Sequence, residues 1–146
     1  MKQRTTISPW WSQRPRQPGT PIRLLVESDD PVLAVSDFTS YREAGIDVAL
    51  CAGPAGQADD CPLVRGEHCE LADGADVVLF QFDLSAGPGA AVLAAMHASH
   101  PDVAVLVSTP RAEVHGAAEA QDFEPLPFPM SVQGQVRAIR SAARRH

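Results

Sequence analysis

Apolar residues in this chain fall into short continuous runs separated by longer amphipathic stretches, and that alternation predicts its elements. The run Ile22 to Glu27 is almost unbroken, which suits a parallel strand buried on both faces. Asp30 then reads as a helix N-cap with Pro31 at the first helical position. The following helix repeats Val32, Val35, Phe38 and Tyr41 on one face, expected to be the core face, and Gly45 is its stop. Val48 to Cys51 is a second strand, and Val77 to Phe82 a third. A helix from about Ala90 to Ser99 buries Val92, Leu93 and Met96. Val103 to Val107 is a fourth strand and Phe123 to Leu126 a brief fifth. Ser131 caps a terminal helix that turns Val132, Val136 and Ile139 inward, with Gly134 weakening its first turn.

Two connections depart from a regular alternation. Gly53 to Gly74 is rich in Gly, Pro and Asp and weakly periodic, so it predicts an irregular loop with at most a short helix near its end. Arg111 to Gln121 is short, Ala-rich and broken by Gly116, which predicts a poor, shortened fourth helix. Five strands alternating with helices in about 120 residues predict a doubly wound α/β fold. The expected architecture is a flavodoxin-like five-stranded parallel sheet of order 2-1-3-4-5, with its functional crevice outside the carboxyl ends of the strands. The expected domains are a disordered basic tail over 1–20 and one folded domain over 21–146.

Charge sharpens this picture. All 18 acids lie between Glu27 and Glu124, and Arg23, Arg42, Arg65 and Arg111 are the only fixed cations among or next to them. The tail carries Lys2, Arg4, Arg14 and Arg16, and the last stretch Arg137, Arg140, Arg144 and Arg145. An acidic body repels a phosphate backbone, so nucleic acid is disfavoured as the main partner. With no apolar run of 18 residues and no secretory leader, neither a membrane span nor secretion is expected, and the cytoplasm is the expected compartment. Trp10 and Trp11 stand out in the tail as aromatics that could dock on a partner.

Four segments then resemble response-regulator receiver domains of the chemotaxis-protein type. They are LLVESDDP (Leu24 to Pro31), VVLFQFDLSAGPG (Val77 to Gly89), VAVLVSTP (Val103 to Pro110) and FEPLPF (Phe123 to Phe128), in the family's order and at compatible spacing over Pro21 to Arg145. The resemblance implies two acids after strand one holding a divalent cation and an aspartate ending strand three that takes the phosphoryl group. It also implies a Ser or Thr after strand four that answers it and a lysine after strand five that neutralises it. Glu27 keeps the first acidic position, Ser28 takes the second, and Asp29 and Asp30 follow. Gln81 stands at the phosphoacceptor, Thr109 at the switch and Leu126 at the lysine, and the only lysine in the chain is Lys2. Asp83, two residues after Gln81, falls beyond the strand end. The resemblance also implies a cis bond at Leu126-Pro127.

The expectation is therefore an atypical pseudo-receiver. It would be a phosphorylation-independent signalling and protein-interaction module of bacterial regulation, not an enzyme, with no cofactor and no metal. Its partners would be proteins, a second copy of itself included. The alternative function is a redox or metal sensor built on Cys51, Cys61 and Cys69. Their C-x9-C-x7-C spacing lacks a zinc-finger signature, and small buried hydrophobes are the plainer reading. A long Gly/Pro-rich loop must nonetheless be tied down, and a cross-link between at least two of these cysteines would do it.

Overall fold

The computed structural model describes residues 4–5, 19–54, 60–85, 88–109 and 123–145. Its strands are β1 (Arg4–Thr5), β2 (Arg23–Glu27), β3 (Asp47–Gly53), β4 (Val77–Phe80), β5 (Ala104–Val107) and β6 (Glu124–Pro125). Its helices are α1 (Pro31–Glu43), α2 (Glu70–Gly74), α3 (Gly89–Ser99) and α4 (Val132–Arg145). The sheet order is β1-β3-β2-β4-β5-β6. Strands β2 to β6 pair in parallel, so the five expected strands take the order 2-1-3-4-5. The expected region of the fourth helix lies outside the described residues.

Helices cover both faces. One core, under α2 and α3, contains Leu25, Ala49, Val78, Phe80, Leu93 and Met96. The other, under α1 and α4, contains Leu24, Val26, Tyr41, Leu79, Leu106 and Ile139. Alternation along β2 and β4 sends successive side chains to opposite cores, so a near-continuous apolar run is what each strand needs. The caps match the sequence. Val32 N donates to Asp30 Oδ1 at 3.1 Å, and Gly134 N donates to Ser131 Oγ at 3.1 Å. Gly45, at φ +82°, ends the turn after α1 in a conformation that glycine adopts without strain.

The inward face of α1 differs from the expected one. Val32 is 80 % exposed and Val35 is 57 % exposed, so they do not belong to the core side of α1. The buried stripe is Ala34, Asp37 and Tyr41, with Phe38 at its edge. Helical spacing alone fits either stripe, and the deciding feature is a buried acid. The terminal helix follows expectation. Val136, Ile139 and Ala142 face inward, while Arg140 donates to the Ala44 carbonyl at 2.8 Å and Arg145 pairs with Glu124.

Arg4–Thr5 falls in the segment expected to be a disordered arm, yet it pairs antiparallel with Cys51 and Gly53 on the edge strand β3. An exposed edge offers unpaired backbone groups, and a short antiparallel cover blunts it. Trp10 and Trp11 lie outside the described residues.

The long connection from β3 ends in a series of turns and the five-residue α2, as expected. No disulfide joins any two of Cys51, Cys61 and Cys69. All three are buried in the core under α2 and α3, beside Leu63, Leu71 and Phe82. The loop is tied down by packing and not by a covalent bridge. No group of three metal-ligating side chains forms among the described residues, so the cysteines do not assemble such a set. Burial pushes the Cys61 and Cys69 thiols upward, against partial opposition from nearby backbone N–H groups.

Two outcomes are expected. Deleting residues 1–18 removes a two-residue pairing worth about 1–2 kcal/mol, so a thermal melt should fall by no more than about 2–6 °C. A larger fall would mean that the tail packs on the domain. In the native protein, the three thiols should react slowly with a soluble disulfide reagent and all should react rapidly once the chain is unfolded, because burial shields all three and the raised pKa of Cys61 and Cys69 leaves little thiolate. Fast native reaction of any one would contradict the packing.

Candidate functional site

At the carboxyl ends of β2, β4 and β5, the backbone ladder continues past each strand. Ser28 N donates to Cys51 O at 3.0 Å, Gln81 N to Glu27 O at 2.7 Å, and Ser108 N to Phe80 O at 2.9 Å. These bonds fix the first residue after each strand at the floor of a cleft of about 940 Å3. One wall carries Asp29, Asp30 and Asp37, another carries Asp83 and Ser85, and the far side is Phe128, Pro129, Met130 and Val132. No Lys, Arg or His lines it among the described residues.

The period of two along the strands separates residues that the sequence places together. Gln81 follows Leu79 on the α1 face. Its side-chain amide hydrogen-bonds Asp37, a residue that sequence reasoning missed. Burial pushes Asp37 above the ordinary carboxylate value, and the Gln81 bond pulls it partly back. Beside it, Tyr41 OH donates to Gln135 Oε1, and burial together with the Asp37 charge raises the Tyr41 pKa. A polar chain of Gln81, Asp37, Tyr41 and Gln135 thus runs under the cleft. The signal for Asp37 was an acid one helical turn from both Ala34 and Tyr41.

Glu27 follows Leu25 and points to the opposite core, with Cys61 and Cys69 near enough for its charge to raise both thiols. It is 1 % exposed, its Oε2 has no hydrogen-bond partner, and it does not line the cleft. Burial raises its pKa to about 8. A carboxyl there is mostly protonated at neutral pH, because an isolated buried charge costs more than a bound proton.

Ser28 Oγ accepts from Asp30 N at 3.3 Å, and Asp29 is exposed on the rim. Asp83 Oδ1 accepts from Ser85 N at 2.8 Å and from Ser85 Oγ at 2.7 Å, so that carboxylate closes its own turn. Gly89 makes this turn tight, since a Cβ there would sit 2.2 Å from the Asp83 carbonyl oxygen. Glu27, Asp29 and Asp83 do not come together as a metal-holding set. Thr109 lines the cleft, but Ser108 is the hydroxyl one step beyond the Phe80↔Val107 pair, level with Gln81. Strand alternation is the signal that could have found it, because Ser108 follows Leu106 on the α1 face.

Leu126 does not belong to the crevice. It is 5 % exposed in the core under α1 and α4, and its N–H donates to Val107 O at 2.8 Å. The side chain after β6 that lines the cleft is Phe128, 51 % exposed. The cis bond is Phe128-Pro129, and Leu126-Pro127 is trans. Leu126 continues the β6 ladder inward, so the chain turns two residues later than the motif implied.

Glu27 makes a pH-dependence testable. Its folded pKa of about 8 lies above its ordinary 4.5, so between these values the unfolded chain is ionised while the folded chain keeps its proton. Stability should fall as pH rises from about 4.5 to about 8, by about 1.4 kcal/mol per unit, and then level off. Glu27→Gln should flatten that slope and raise stability at pH 7 by up to roughly 3 kcal/mol in urea titrations. An unchanged slope would contradict the assignment.

No family model matches the chain, and no curated protein matches it. Solved structures do. A receiver domain protein from Clostridium thermocellum aligns with TM-score 0.61 at 19 % identity, covering 85 % of this chain and 95 % of that one. A receiver domain protein from Methanospirillum hungatei gives 0.61 at 18 %, covering 86 % and 95 %. An orphan response regulator of H. pylori gives 0.58 at 20 %, covering 86 % and 99 %. At such identities the likeness speaks to fold, and the chain has the fold of response-regulator receiver domains.

Proposed function

We propose that this chain is a pseudo-receiver: a signalling module that works through protein contacts without being phosphorylated, and not an enzyme. The observation that carries this reading is the Gln81 side chain, hydrogen-bonded to Asp37 at the position where a receiver keeps its phosphoacceptor. A carboxamide is no useful nucleophile toward phosphate. An incoming phosphoryl group would also meet acids on two walls and Phe128 where a cation is needed. Loss of the acid and loss of the cation support each other, since either alone would leave a charge unbalanced. No described helix is long and apolar enough to cross a membrane, which accords with a module placed in the cytoplasm. The partner is a protein, a second copy of this chain among the candidates. Buried thiols of raised pKa do not favour the redox alternative.

Incubation with acetyl phosphate and magnesium should leave the intact mass unchanged. A phosphoryl adduct mapped to Asp83 or Asp29 would overturn the reading.

A further inference from the structure

The crevice has a deficit of hydrogen-bond donors. Thr109 is 4 % exposed and lines the cleft, and its Oγ1 has no hydrogen-bond partner. Gln81 Oε1 is equally buried and unpartnered, because only the nitrogen of that amide is engaged, by Asp37. An amide oxygen can only accept, so whatever completes the site must donate. The surroundings add a sign. Asp29, Asp30, Asp37 and Asp83 line the same cleft with no basic side chain among the described residues, so an anion is repelled and a cation attracted. A bare metal ion does not answer the geometry, since no three ligating side chains gather there among the described residues. The volume of about 940 Å3 is in the range of pockets that take small organic molecules and far exceeds what a bare ion fills. Phe128, Met130 and Val132 supply an apolar side to the cleft.

We propose that the crevice binds a guanidinium group carried on an apolar stem, its N–H groups donating to Gln81 Oε1 and Thr109 Oγ1 and its stem lying along Phe128 and Met130. A guanidinium offers several coplanar donors, pairs with carboxylates and stacks on an aromatic face, where an ammonium does only part of this. The group arrives either on a free small molecule or on an arginine side chain of a polypeptide. It gives the module an input chemically opposite to a phosphoryl group. This inference rests on the crevice not being phosphorylated, and the two readings can fail separately. Phosphoryl uptake is read by mass, and guanidinium binding by spectroscopy with neither donor nor magnesium present.

The test titrates the full-length 15N-labelled protein with n-butylguanidinium, n-butylammonium, butyrate and the capped tripeptide Ala-Arg-Ala. Saturable shifts at the amides of Gln81, Ser108, Thr109 and Phe128 are expected with butylguanidinium, weaker ones with butylammonium, and none with butyrate. Thr109→Val should weaken butylguanidinium binding about tenfold, the loss of one buried hydrogen bond. Phe128→Ala, at a half-exposed side chain, should weaken it several-fold and serves if Thr109→Val fails to fold. Tripeptide binding tighter than butylguanidinium supports a partner-borne arginine, and weaker binding supports a free small molecule. Linear shifts spread over the acidic surface, equal binding of butyrate, or unchanged binding in both variants would overturn the proposal.

Discussion

The hydrogen bond between Gln81 and Asp37 sets the character of the whole carboxyl edge of the sheet. The neighbouring walls carry Asp29, Asp30 and Asp83, and no fixed cation lines the cleft among the described residues. A second carboxylate at position 81 would face Asp37 at short range and raise the pKa of the pair. A carboxamide donates to Asp37 instead and stays neutral. A neutral side chain at position 81 therefore adds no further charge to an acidic crevice that no basic side chain lines among the described residues. Phe128 on the opposite side brings apolar area to the cleft and no charge.

Glu27 meets the same constraint by another route. Strand alternation turns it away from the cleft into the core that holds Cys61 and Cys69, where burial raises its pKa. There it keeps its proton up to a pH of about 8. The two acidic positions implied by the resemblance are thus separated: one faces an apolar core as a neutral acid, and the other is a serine turned into the local hydrogen bonding ahead of α1. The thiols nearby belong to the packing of that core. They hold the irregular connection in place as small apolar groups, the role a helix would otherwise fill.

Strands, caps and topology were legible in the sequence because each rests on local chemistry. Continuous apolar runs marked the four inner parallel strands, and Asp30 and Ser131 marked helix starts through their own side chains. The order of the sheet followed from connection rules. What was not legible depends on rotation about an axis or on a turn of one or two residues. The α1 stripe through Val32 and Val35 is as periodic as the true stripe through Ala34 and Tyr41, and only tertiary contact makes Asp37 an inward residue. Three prolines alternate from Pro125 to Pro129, so the register of the last turn, and with it the exchange of Leu126 for Phe128 at the cleft, is invisible to pattern. The polar chain through Gln135 joins residues 94 apart in sequence, a distance no local rule spans.

With acids on its walls and no basic side chain lining it among the described residues, this crevice should take a further negative charge only at a cost that an added cation relieves. Urea denaturation of Gln81→Asp at pH 7.5, beside Gln81→Asp/Phe128→Lys, tests it most directly. The single variant should lose roughly 2–3 kcal/mol, as a buried carboxylate without a partner does, and the double variant should recover at least half of it. Gln81→Asp as stable as the parent would overturn this balance of charge, as would a Phe128→Lys change that restores nothing.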